Sequence, residues 1–66
     1  TNAQILIGEE VVGIERIDNL LSTGRVMIRG QEWAALSVDE KQKFKKDDVV
    51  SVVSISGVKL MVKCPE

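Results

Sequence analysis

Histidine is absent from the 66 residues, and cysteine occurs once, at Cys64. His-based triads, Cys–His pairs and an internal disulfide are therefore excluded. Cys64 reads as a free thiol in a C-terminal tail, which favours a reducing compartment. Ser22, Ser51, Ser54 and Lys59 leave a Ser–Lys dyad open on composition alone. No nucleophile elbow sets one of those serines beside the lysine, so they read as turn and strand-surface residues. The expectation is a chain with no catalytic residues and no small-molecule substrate.

Metal and cofactor chemistry has as little support. Glu9-Glu10 and Asp47-Asp48 are acidic pairs, but adjacent residues on a strand point to opposite faces. Neither pair opens a D-x-D-x-D-G calcium loop. No metal ligands and no cofactor site are expected. Lys41, Lys43, Lys45 and Lys46 resemble a phosphate-binding run. Asp39, Glu40, Asp47 and Asp48 flank them, so the segment from Asp39 to Asp48 holds four charges of each sign. Cancellation within a Debye length of about 10 Å leaves little field. The run is read as a solvated loop that pairs its own charges.

The elements that would position any site are strands. Ten valines and six isoleucines stand against one Phe, one Trp and no Tyr, and side chains branched at Cβ suit a pleated surface. Residues 1–6 read as a frayed start. Gly8 to Ile17 reads as a first strand kinked near Gly13, since a glycine within a strand often marks a bulge. Asp18 to Gly24 is turn-forming. Arg25 to Arg29 alternates, with Val26 and Ile28 inward and Arg25, Met27 and Arg29 outward. Gln31 to Leu36 returns with Trp33 and Ala35 inward. Ser37-Val38-Asp39-Glu40 has the form of a capping box, which predicts a short helical turn that plugs the barrel with Phe44. Asp48 to Ile55 is apolar on both faces, a sign of a bend or bulge. Ser56-Gly57 signals a hairpin, and Lys59 to Lys63 returns with Leu60 and Val62 inward. Residues 64–66 form a tail.

The fold class is therefore all-β: a single domain over residues 1–66. The five strands, with a helical turn between strands 3 and 4, fit an OB-fold Greek-key barrel. An SH3-like barrel is the nearest competitor. A domain this short buries only about 60% of the surface its unfolded chain exposes. Single-stranded nucleic acid is the usual partner of such barrels and remains the alternative function. It requires a basic groove and aromatic platforms. The chain carries a net charge of −1, and its two aromatic residues have structural roles, so nucleic acid is disfavoured. Arg25, Met27 and Arg29, with Arg16 nearby, form the candidate partner surface.

The order of features resembles the soluble C-terminal domain of NfeD-like proteins. Ile7-Gly8, Leu20/Leu21 with Gly24-Arg25-Val26, and Gly30-Gln31-Glu32-Trp33-Ala34-Ala35 carry the likeness. Val50 to Gly57 and Leu60-Met61-Val62 complete it. The family pattern reads approximately L-x-P-x-G-x-V, then G-x-x-W-x-A. Here Ser22-Thr23 stands where the Pro of the first turn is usual, and Asp47 or Asp48 replaces the Gly before the valine strand. The resemblance implies a non-catalytic interaction module of a bacterial membrane-anchored protein. Its implied partners are stomatin- or flotillin-like (SPFH) proteins, or a membrane-bound Ser–Lys protease, in membrane organisation or quality control. A chain that opens Thr1-Asn2-Ala3 reads as a segment of such a longer protein. Its membrane segment would lie elsewhere, with this soluble domain on the cytoplasmic side. Contact would be made through an exposed barrel face or a sheet edge.

Overall fold

A computed structural model describes residues 3–66. Thr1 and Asn2, the first residues of the expected frayed start, lie outside that range. The described remainder of that start is ordered: Ala3–Leu6 forms a 3-10 turn. Leu6 is 5% exposed and joins the core, which gives the turn a reason to hold. The Gly8 amide donates to the Val52 carbonyl (2.8 Å), and Val52 donates back to Glu9 (2.9 Å).

Five strands follow: β1 Glu10–Asp18, β2 Thr23–Ile28, β3 Gln31–Ser37, β4 Val49–Ser56 and β5 Lys59–Lys63. They close into a barrel in the order β1-β2-β3-β5-β4, with β4 returning to β1. β3 and β5 run parallel, and all other neighbours are antiparallel. This is the five-stranded barrel expected from the strand pattern.

Strand alternation fills the interior. Val26 and Ile28 of β2, Ala35 of β3, Val50 and Val52 of β4, and Leu60 and Val62 of β5 are buried together. Trp33 is half-buried and packs against this cluster. β1 bends where predicted. From Gly13 to Asp18 it spends five steps against three on β2 between Val26 and Thr23. Two extra residues increase the local twist and restore the inward phase, so Val11 and Ile17 are both buried. In β4 the register shifts between Val52 and Ser54. Val53 is the extra residue, which explains why β4 is apolar on both faces.

The connections obey the same chemistry. Arg29 (φ 51) and Gly30 (φ 79) both lie in the left-handed region, as the two-residue turn of type I′ requires. Asn19 acts as a strand substitute: its side-chain amide donates to the Ser37 carbonyl and its oxygen accepts from the Ser37 amide, both at 2.9 Å.

The short helical turn expected between β3 and β4 is present as one hydrogen-bonded turn. One hydrogen bond, from the Gln42 amide to the Asp39 carbonyl, closes a single turn. Asp39 then takes the Lys41 amide instead of capping a helix. Phe44 does fill the predicted role. It is buried, and its backbone exchanges two hydrogen bonds with Ile17 (2.9 and 3.0 Å) at the end of β1.

Gly24 is the tightest point of the barrel. A Cβ there would lie 2.2 Å from the Ala35 carbonyl oxygen, and φ is +152. Gly57 (φ +61) has no atom near its Cβ position. Gly24→Ala is therefore expected to cost about 3 kcal/mol, from overpacking and backbone strain together. Gly57→Ala should cost only about 1 kcal/mol, the left-handed penalty alone. Urea denaturation of both variants measures the difference. Ser22 has φ 56 and donates its amide to Asn19, whereas proline locks φ near −65° and has no N–H. Restoring the family proline as Ser22→Pro is therefore expected to destabilise by about 2 kcal/mol in the same assay.

Candidate functional site

Outward-facing residues of β1, β2 and β4 meet in one row. Val12 pairs with Met27 on one side and with Val49 on the other. All three are exposed, at 43%, 37% and 45% respectively. Val49, Val12 and Met27 therefore make an apolar band across three strands. Cross-strand neighbours of this kind lie about 4.5–5.5 Å apart at Cβ, so the band is continuous. Glu32 opposes Met27 on β3, and the exposed Glu10 and Arg25 flank the band on β1 and β2.

The predicted surface residues divide. Arg25 and Met27 share the outward face of β2, as expected. Arg29 lies beyond the strand, in the turn, and its guanidinium donates to Glu9 Oε1 at 2.9 Å. That ion pair ties the β2–β3 turn to the start of β1. Arg16 is separated from this face by the bulges of β1 and points to another site. Sequence reasoning missed Val12 and Val49, because each sits beside a buried valine. Only the pairing register tells which of two adjacent valines faces out.

A second feature lies at the far end of β1. Arg16, Lys43, Phe44, Lys45 and Lys46 line an open cleft of about 330 Å³. The expected self-pairing of the β3–β4 loop does not occur: among the described residues no ion pair forms within it. Lys43 instead reaches Asp18 Oδ2 at 3.8 Å, and Arg16 reaches the same oxygen at 3.6 Å. Asp18 is 2% exposed. Its other oxygen accepts from the Leu20 amide (3.0 Å) and the Leu21 amide (3.4 Å). A buried carboxylate is thus satisfied by two amides and two cations, as burial of a charge demands.

Reactive groups do not assemble. Among the described residues no three His, Cys, Asp or Glu side chains come together as metal ligands. Ser56 and Lys59 stand in S-x-x-K spacing and are cross-strand partners at the Gly57 hairpin, where both are surface residues. No hydrogen bond joins them among the described residues. Cys64 is exposed in the tail. There Lys63 donates to Glu66 at 2.8 Å and holds that carboxyl below its usual range. No helix among the described residues is long and apolar enough to cross a membrane.

The fold and its surface thus define a small closed OB-type barrel with an apolar outer band. The sequence profile of the NfeD-like C-terminal, partner-binding domain matches residues 3–63, and the chain belongs to that family. Two solved structures are similar over nearly their whole length. One is the soluble domain of a membrane protein implicated in regulation of membrane protease activity from Corynebacterium glutamicum. It is 27% identical, with a TM-score of 0.86, covering 96% of this chain and 97% of that one. The other is the C-terminal domain of stomatin operon partner protein 1510-C from Pyrococcus horikoshii. It is 31% identical, with a TM-score of 0.75, covering 94% and 91%. No curated protein sequence matches the chain significantly.

Position in the register predicts opposite responses to one substitution. Val12→Glu places a charge on an exposed site and should change stability by about 1 kcal/mol or less. Val26→Glu buries an unpaired charge at a site with no exposure and should leave the chain unfolded. Far-UV circular dichroism through a thermal ramp separates the two.

Proposed function

We propose that this domain is the partner-binding module of a membrane-anchored protein, and that it docks a stomatin- or flotillin-like protein through the Val49–Val12–Met27 band. Support comes from the family's partner-binding description and from the stomatin operon partner among the similar structures. The observation that carries the reading is the band itself, three exposed apolar side chains in adjacent registers. Such a patch rimmed by charge is the usual form of an interaction surface. Arg25, Met27 and Arg29 then divide the work. Met27 is the apolar anchor, Arg25 a rim charge that sets orientation, and Arg29 a brace held by Glu9. Regulation of a membrane-bound Ser–Lys protease would follow from the partner brought into place, with this domain supplying no chemistry.

Titration calorimetry of the 66-residue chain with a purified stomatin-like protein from the same cell tests this. Met27→Glu and Val12→Glu should each weaken binding by about tenfold or more, as expected for central interface positions. Arg25→Glu should mainly change the association rate and its salt dependence. Binding unaffected by both Glu variants sinks the assignment of this face.

A further inference from the structure

Leu20 and Leu21 form the tip of the β1–β2 loop and are 83% and 63% exposed. They do not line the cleft beside them. Their backbone amides bind one oxygen of Asp18, while Arg16 and Lys43 approach the other. One buried carboxylate therefore sets two bare leucines directly beside the cationic cleft. Lys45 and Lys46, which also line the cleft, carry no ion pair among the described residues. Three nearby carboxylates are engaged: Asp18 as described, Asp39 by the Lys41 amide at 2.9 Å and Asp48 by the Lys45 amide at 2.8 Å, while Glu40 and Asp47 of the same loop are exposed.

We infer that this end of the barrel docks on an anionic lipid surface. Leu20 and Leu21 would enter the headgroup–acyl boundary, and Arg16, Lys43, Lys45 and Lys46 would meet the phosphates. Protruding apolar tips backed by cations suit a soft apolar phase. An acidic peptide would instead need an apolar trough to bury its anchor, and neither leucine is among the residues that line the cleft. The inference is independent of the partner reading, which uses the band at the other end of β1. Arg16 lies four residues on from Val12, at most about 13 Å at strand rise.

Vesicle co-sedimentation of the 66-residue chain tests it, with vesicles of phosphatidylcholine alone or mixed equally with phosphatidylglycerol. Binding is expected to the mixed vesicles only and to weaken as salt rises. Lys45→Glu with Lys46→Glu, and separately Leu20→Ser with Leu21→Ser, should each reduce it by about tenfold, with unchanged circular dichroism. The four substituted positions, Leu20, Leu21, Lys45 and Lys46, are all exposed, so these pairs leave the core intact. Equal binding to both vesicle types, no binding, or binding indifferent to either pair overturns the inference. So does a glutamate-rich peptide that shifts the Lys43–Lys46 amide resonances when the mixed vesicles do not bind, since the occupant is then an acidic segment. A loss of vesicle binding with intact binding to the stomatin-like protein separates this inference from the partner reading.

Discussion

β1 must satisfy three neighbours with one backbone, and the barrel depends on how it does so. Its first half pairs with β2 on one side and β4 on the other. Past Val12, β4 has not yet begun, and the strand is met instead by the preceding loop. The Gly13 amide donates to Asp48, the Asp47 amide donates to Gly13, and Ile17 and Phe44 exchange hydrogen bonds. Two bulges let β1 turn through this change of partner while keeping Val11 and Ile17 inward. A straight strand would leave those backbone groups unpaired in the interior, and each would carry a desolvation cost. Closure, the Phe44 plug and the position of Arg16 all follow from this bend.

Much of that arrangement was legible in the residues. Gly13 announced the kink, the doubled valines of β4 announced a bulge, and the alternation of Val26, Ile28, Leu60 and Val62 gave the inward face. Phe44 was readable as a plug because a single large apolar residue in a charged loop has few other uses. The turn before Phe44 is as short as expected, because the Phe44 backbone pairs with Ile17 and so cannot continue a helix. Ala3–Leu6 looked frayed because its order comes from a distant contact, Leu6 against the core, which periodicity does not register.

The departures from the family pattern became intelligible only with dihedral angles. Asp47 has φ 77, so it occupies the left-handed conformation that the missing glycine would supply. Aspartate is one of the few side chains that tolerates it. Ser22 has the opposite hand from proline, so the loop carrying Leu20 and Leu21 takes a different path from one built on the family proline. The candidate site was half legible. Arg25 and Met27 were found by alternation, whereas Val12 and Val49 required the register. The charge sum over Asp39 to Asp48 hid the cleft. A sum of zero along the chain says nothing about which side each charge occupies, and Lys43 found its partner, Asp18, on another strand.

The closed ring also limits how copies of this domain can meet. β4 returns to β1, and β3 joins β5 through a parallel ladder. Each strand is thus flanked on both sides over part of its length within its own chain, which shortens the edge that a neighbour could extend. A protein held at high local density along a surface risks growth of sheets from chain to chain. In this domain, strand exchange would require breaking the ring first. Crowding therefore leaves side-chain contacts between outer faces as the route to association. Such contacts can be reversed one patch at a time.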